Sequence, residues 1–292
     1  MPEPADAATP PVARTIADLR GHIRGWRQAG QSAGLVPTMG ALHAGHMALV
    51  AAARHSCDRV VATIFVNPKQ FAPGEDLSTY PRREMADLAL LAEGGADLAF
   101  IPAVGEIYPS GFATLVRVAG LSEVLCGAHR PGHFDGVATV VTKLLLQALP
   151  DIAWFGEKDW QQLTIIRRLV RDLDIPVRIA GVATVREADG LALSSRNAYL
   201  SPSERAAAPA LAGSLREIAG SVARDPAAAP GALARARTAL SAAGFAVEYL
   251  EIRDAETLAP ATLPVAGRCR VFVAAHLGRT RLIDNLAIPP PG

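Results

Sequence analysis

Through the first two thirds of the chain, short apolar runs alternate with stretches whose apolar residues recur every three or four positions. The short runs are Leu35–Val36, Val60–Val66, Leu98–Ile101, Ile152–Phe155 and Val177–Val185. Between them lie Ile16–Ala29, His46–Cys57, Arg82–Ala92, Val137–Leu149 and Gln161–Leu173. Short apolar runs suit strands and the longer period suits helices, so the pattern predicts βαβ units. The expected fold class is α/β: a Rossmann-like parallel sheet with helices on both faces. Ligands of such sheets bind beyond the carboxyl ends of the strands. Pro37–His46, Asn67–Gln70 and Gly156–Asp159 each follow a predicted strand directly and are expected on one rim.

Past Val185 the texture changes. Ser201-Pro202-Ser203-Glu204 reads as a capping box with proline at the first helical position. An alanine-rich helix is expected from there to about Ala223, and a second over Ala232–Ala243, stopped by Gly244. Val247–Ile252, Arg270–Ala275 and Arg281–Ile288 read as strands, the last two joined by a turn at His276-Leu277-Gly278-Arg279. The expected organisation is a disordered tail over 1–13, a Rossmann-like domain over 14–184 and a smaller α+β domain over 185–292. Pro289–Gly292 reads as a frayed end.

Half of the 292 residues are hydrophobic, ample for a core, and the formal net charge is +1. Neither nucleic acid nor a membrane is therefore an expected partner. Cys57, Cys126 and Cys269 are scattered and fit no metal or disulfide spacing. That usage suits a reducing compartment, so a cytoplasmic location is expected.

Leu35–Val50 carries the strongest chemical signal. Its apolar run meets Pro37, then Met39-Gly40-Ala41-Leu42-His43-Ala44-Gly45-His46 opens a helix. A strand that passes through such a turn into a helix aims backbone N–H groups at an anion, and phosphate binds well there. His43 and His46 fall on one face of the first helical turn. The spacing lacks the glutamate of a zinc-protease motif, and simple capping of the helix is the plain alternative. Asn67 and Gln70, in Phe65-Val66-Asn67-Pro68-Lys69-Gln70-Phe71, offer neutral amides for a small polar substrate, with Glu75-Asp76 just beyond and Lys69 read as a solvated charge. Gly127–Val137, with Arg130 and His133, is another candidate anion loop, although turn chemistry alone accounts for its glycines. Gly156-Glu157-Lys158-Asp159 follows a strand, and Lys158 can set a point charge on phosphate. Gln162 lies three residues beyond Asp159 on the same face. Val185–Asn197 brings Ser194, Ser195 and Arg196, two hydroxyls and a guanidinium suited to phosphate oxygens.

Taken in order, P-T-M-G-x-L-H-x-G-H, F-V-N-P-x-Q-F, R-P-G-H-F-x-G-V, F-G-E-K-D and S-S-R-N resemble the pantothenate synthetases (pantoate–β-alanine ligases) of the adenylate-forming nucleotidyltransferase superfamily. The resemblance covers roughly Ile16 to Ile288 and departs at Trp160, where that family's pattern has tyrosine. It implies condensation of pantoate with β-alanine, with ATP and Mg²⁺ and no tightly bound organic cofactor, in a homodimer. It further implies that Met39, Gly40, Ala41, Leu42, His43, Ala44, Gly45 and His46 bind ATP, with His46 as proton donor. Gly156, Glu157, Lys158, Asp159, Val185, Leu193, Ser194, Ser195 and Arg196 would complete the nucleotide site. His43, Lys158, Ser194, Ser195 and Arg196 would join His46 in catalysis. Gln70 and Gln162 would hold pantoate, with Asn67, Met39, Arg130 and His133 around the acid and amine. Asp87 is the candidate for contact with magnesium. The rival readings are another nucleotidyltransferase of the superfamily and a nucleotide-binding module without turnover. An aminoacyl-tRNA synthetase would share the histidines, but no tRNA-binding extension is evident.

Overall fold

The computed structural model describes residues 9–72, 74–75, 77–262 and 268–290. Asp76, residues 1–8 of the expected tail and the last two residues of the expected frayed end lie outside them. The chain divides into two compact units. The first comprises residues 1–123, 127–157 and 165–183; the second comprises 124–126, 158–164 and 184–292. The segments 124–126 and 158–164 thus belong with the C-terminal unit, not with the N-terminal one that the sequence suggested.

In chain order the first stretch runs β1 (Val12–Ala13), α1 (Ile16–Gln28), β2 (Ala33–Thr38), α2 (Ala44–Ser56), β3 (Arg59–Ile64), α3 (Glu84–Glu93), β4 (Leu98–Phe100) and α4 (Val104–Ile107). Then follow α5 (Cys126–His129), α6 (His133–Ala148), β5 (Ile152–Gly156), α7 (Trp160–Asp172) and β6 (Arg178–Val182). All six strands pair in parallel, in the order β1-β4-β3-β2-β5-β6. The inner strands are buried along nearly their whole length, which is why they read as continuous apolar runs rather than alternating ones. Val36, Val60, Ala62, Leu91, Ala99 and Trp154 are among the side chains that fill the core between sheet and helices.

The expected tail needs correcting at its end. Val12 and Ala13 form the edge strand β1, paired with Ala99 and Phe100, and Ala13 is buried. Two residues are too short to leave a periodic trace in sequence. From β2 the chain steps outward through β3 to β4, and then returns to the other side of β2 for β5 and β6. The order therefore reverses between β2 and β5, and a crevice opens at such a point beyond the carboxyl ends of the strands. α6 starts at His133, one turn earlier than its apolar period suggests. At its far end Arg20 and Arg27 of α1 donate to the carbonyls of Gln147 and Leu149, satisfying acceptors that the helix itself cannot.

The second unit holds α8 (Pro202–Ala207), α9 (Ala210–Arg224), α10 (Ala229–Ala242), β7 (Phe245–Asp254), β8 (Cys269–Leu277) and β9 (Thr280–Ala287). The strands form an antiparallel sheet in the order β7-β8-β9. Leu211, Leu215 and Ile218 of α9 pack with Ala236 and Leu240 of α10 and with Val271 and Val273 of β8. The Ser201 capping box forms as expected. The long helix expected after it is interrupted at Ala208-Pro209, since proline has no N–H to donate and its ring clashes with the preceding turn. Nor does β6 reach Val185. The Val185 carbonyl instead accepts from the Leu193 N–H, closing a small hairpin around Gly190.

Candidate active site

In the first unit the turn after β2 is bound at every step. Thr38, buried at the strand end, donates its hydroxyl to the Thr63 carbonyl (2.5 Å) and accepts from the Gly40 N–H (3.2 Å). Gly40 has φ 81° and Ala41 φ 51°. A left-handed conformation costs a non-glycine residue roughly 1–2 kcal/mol. Asp87 on α3 offsets that cost. Its Oδ2 accepts from Ala41 N–H at 2.9 Å and its Oδ1 from Leu42 N–H at 2.8 Å. The carboxylate is buried with both oxygens on backbone amides, so Asp87 holds the turn. Sequence placed it one helix away with no hint of this role.

The turn delivers the chain to α2 with both histidines fixed. His43 is the N-cap, and its Nδ1 accepts from the Gly45 N–H at 3.1 Å. His46 Nδ1 accepts in return from the His43 N–H at 3.3 Å. The rings lie 4.1 Å apart between centroids. An imidazole nitrogen that accepts carries no proton, so both neutral rings hold theirs on Nε2. The cap orients each ring and makes Nε2–H the donor, at a helix N-terminus that already favours anions.

Beyond β3, the turn Pro68–Gln70 sits on α6 with no space between them. A Cβ on Gly136 would stand 2.2 Å from the Lys69 carbonyl oxygen. Asn67 is buried. Its Nδ2 donates to the Gly136 carbonyl (3.1 Å) and to Gln70 Oε1 (3.0 Å), while its Oδ1 accepts from the Tyr108 hydroxyl (2.8 Å). Burial pushes the Tyr108 phenol well above its ordinary value, so it stays a donor. Gln70 Nε2 reaches Met39 Sδ at 3.1 Å, joining the two expected substrate segments. Lys69 is exposed as expected, but its ammonium lies over the rings of Tyr108 and Phe112.

Arg130 and His133 are present beside this turn, engaged in holding it. Arg130 binds Glu75 through two bonds of 2.7 and 2.6 Å. It also donates to His133 Nε2 at 3.1 Å. His133 Nδ1–H then donates to the Gln70 carbonyl at 2.8 Å. Burial pushes the Glu75 carboxyl up, but the hydrogen bonds and charge of Arg130 outweigh it and hold the group below the usual carboxylate range.

The second unit gathers the remaining candidates. Lys158 and Asp159 stand in a short 3-10 turn that begins at Glu157 of the first unit, directly after Gly156. The Gln162 side chain is half-buried on α7 and makes no hydrogen bond among the described residues, whereas that of its neighbour Gln161 is bound to Val124 and Cys126. Val185 and Leu193 close the small hairpin, and Ser194 caps a 3-10 turn over Ser195–Tyr199 by accepting from the Arg196 N–H. Arg205 clamps the hairpin from α8 through Glu187 and Asp189. Each unit thus organises its own candidates, and among the described residues no group of three His, Cys, Asp or Glu side chains is placed to hold a metal ion.

A parallel sheet with its strand order reversed between β2 and β5, and a doubly capped histidine pair on the turn after β2, defines a Rossmann-like α/β protein. Within that class the chain belongs to the pantoate–β-alanine ligase family, whose model matches residues 11–287. It is similar to a pantothenate synthetase of Paramagnetospirillum magneticum, 56% identical over 280 residues that cover 96% of this chain and 98% of that protein. Among solved structures it is similar to a pantothenate synthetase of Thermus thermophilus, with TM-score 0.87, 49% identity, and 96% of this chain and 100% of that one covered. A pantoate–β-alanine ligase of Francisella tularensis, solved as a complex with β-γ ATP and β-alanine, gives TM-score 0.79 at 33% identity, covering 95% of this chain and 97% of that one.

Proposed function

We infer that this chain is a ligase that joins pantoate to β-alanine and converts ATP to AMP and pyrophosphate. The observation that carries the reading is the family match across residues 11–287. In the first step a pantoate carboxylate oxygen bonds the α-phosphorus of ATP and the bond to pyrophosphate breaks. In the second, the amine of β-alanine bonds the acyl carbon, the C–O bond to AMP breaks, and nitrogen gives up a proton. A bare carboxylate is a poor electrophile, and the adenylate supplies its leaving group.

Charge builds on the phosphate oxygens and on the departing pyrophosphate. The loss of one donor aimed at such charge costs about 3–4 kcal/mol. The Nε2–H groups of His43 and His46 suit that task because their Nδ1 atoms are already occupied by backbone N–H groups. His46 is assigned as the proton donor. Lys158, Ser194, Ser195 and Arg196 are assigned to the triphosphate, with Met39–Gly45, Gly156, Glu157, Asp159, Val185 and Leu193 lining the nucleotide. Gln70, Asn67 and Met39 hold pantoate and β-alanine together with Gln162. Arg130 and His133 support Gln70 from behind. Magnesium is assigned to the triphosphate, whose oxygens are ligands it prefers, and Asp87 is released from that role.

The residues from 185 onward are proposed as a lid that keeps water from the adenylate. A cytoplasmic homodimer completes the reading; among the described residues no helix is long and apolar enough to cross a membrane. The test omits each substrate in turn. Pantoate and ATP without amine are expected to yield bound pantoyl adenylate and pyrophosphate, and cleavage of ATP to ADP would overturn the assignment.

A further inference from the structure

Two adjacent residues of β9 hold the two phosphate-facing loops of the second unit. Successive side chains of a strand point to opposite faces. Asp284, almost wholly buried, receives Arg186 through two bonds of 2.6 and 3.0 Å. Arg186 begins the small hairpin, donates to the Gly190 carbonyl at 3.1 Å and bridges to Ala192. Leu193 and Ser194 follow directly, so the ion pair anchors the base from which Ser194–Arg196 projects.

Asn285, equally buried, faces the other way. Its Nδ2 donates to the backbone carbonyl of Lys158 at 2.9 Å, and its Oδ1 accepts from Arg270 Nε at 2.8 Å. The register explains that contact. Phe272 lies opposite Asn285 and Arg270 opposite Ala287, so Arg270 and Asn285 are diagonal neighbours on one face. The buried Arg270 guanidinium stacks 3.7 Å from the centre of the Trp160 ring, and the indole N–H donates to the Ala255 carbonyl at 2.8 Å. Trp160, Arg270 and Asn285 form one continuous support ending on Lys158. None of these side chains is needed for the sheet itself, whose ladder is made by backbone groups. A buried amide and a buried ion pair are retained where packing alone would favour apolar residues.

We propose that Asp284 and Asn285 are positioning residues: Asn285 sets Lys158 and Asp284 sets the Ser194–Arg196 loop. The proposal rests on the ligase reading above, and the test separates the two. The measurement is pantoate-dependent ATP–pyrophosphate exchange by the full chain. N285D keeps the size and the acceptor toward Arg270 but turns an oxygen, in place of the amide donor, toward the Lys158 carbonyl. Its kcat for exchange is expected to fall roughly ten- to a hundredfold, the scale of a group displaced by about 1 Å. The pantoate KM is expected to stay within about twofold, since Gln70 is untouched. In a Lys158→Ala background N285D is expected to add less than about twofold, because it acts through Lys158. D284N acts through the other loop and adds in full.

Unchanged exchange in N285D, or full additivity with Lys158→Ala, overturns the Asn285 assignment. A D284N with wild-type exchange overturns that of Asp284. Should N285D fail to fold, Asn285→Ser removes the same donor without charge and is read in the same cycle. No pantoate-dependent exchange in the wild-type chain overturns the ligase reading and the proposal with it, whereas normal exchange with an additive cycle overturns the proposal alone.

Discussion

The first unit contains two segments that look alike as sequence and differ in what they do. Each has a pair of nitrogen-rich side chains three residues apart at the start of a helix: His43 and His46 at α2, Arg130 and His133 at α6. At the first, both Nδ1 atoms accept from backbone N–H groups, so the ring protons sit on Nε2. At the second the tautomer is reversed. His133 donates from Nδ1 to the Gln70 carbonyl and accepts from Arg130 at Nε2. One pair is held by its own helix so that it can donate elsewhere. The other is engaged on both edges to hold a neighbouring turn. The residue type at a helix start says little until the partner of each nitrogen is known.

The sharpest way to break this contrast is to remove one ring from each pair. His46→Ala is expected to lower the rate of adenylate formation by about 10²–10⁴-fold, the range of a lost general acid. It also loses the bond that His46 accepts from the His43 N–H, worth about 1 kcal/mol and visible as a lower melting temperature. His133→Ala is expected to raise the pantoate KM while leaving the ATP KM near wild type. Equal effects of the two on adenylate formation would abolish the distinction.

Gly136→Ala probes the support without touching either pair. The added methyl must push the Lys69 carbonyl away, an overpacking cost of about 1–3 kcal/mol. Thermal unfolding is expected to show the loss, and pantoate KM to rise more than ATP KM. Asp87→Asn sharpens the histidine side. It sets an amide donor against one of two backbone N–H groups and is expected to cost about 1–3 kcal/mol in a denaturant titration. The magnesium dependence of exchange is expected to stay in place; a shift in it would restore Asp87 as a metal contact.

The smallest effect is one of pH. Glu75 is held below the ordinary carboxylate value, which is about 4.3 for glutamate. Its stabilising contribution is present above that ordinary value and is lost as pH falls through the lowered one. Melting curves between neutral pH and pH 3 are expected to show a drop at the acid end that Glu75→Gln flattens, by about 1 kcal/mol at most for a partly exposed pair.

Much of the fold was legible because buried parallel strands are continuous apolar runs and the helices between them are amphipathic. Val60–Val66 and Ile152–Phe155 could hardly be read otherwise. β1 was missed because two residues carry no period, and Pro209 broke a helix that alanine content alone had extended. His43, His46, Asn67, Gln70, Lys158 and the Ser194–Arg196 loop were visible as ordered motifs, since their chemistry depends on residue type and local spacing. Their supports were not visible. Asp87 is 46 residues from Ala41, Tyr108 is 41 from Asn67, and Asn285 is 127 from Lys158.

By itself, then, the amino-acid order determined the α/β layout, the chemistry on offer and the family, because these follow from local periodicity and short motifs. Only the tertiary structure decided which nitrogen of each histidine carries the proton, that Asp87 serves the backbone, and that β9 holds both Arg186 and the Lys158 carbonyl. Hydrogen-bond partners of buried polar groups are chosen by which distant segments the sheet brings within about 3 Å, and no local pattern encodes that choice.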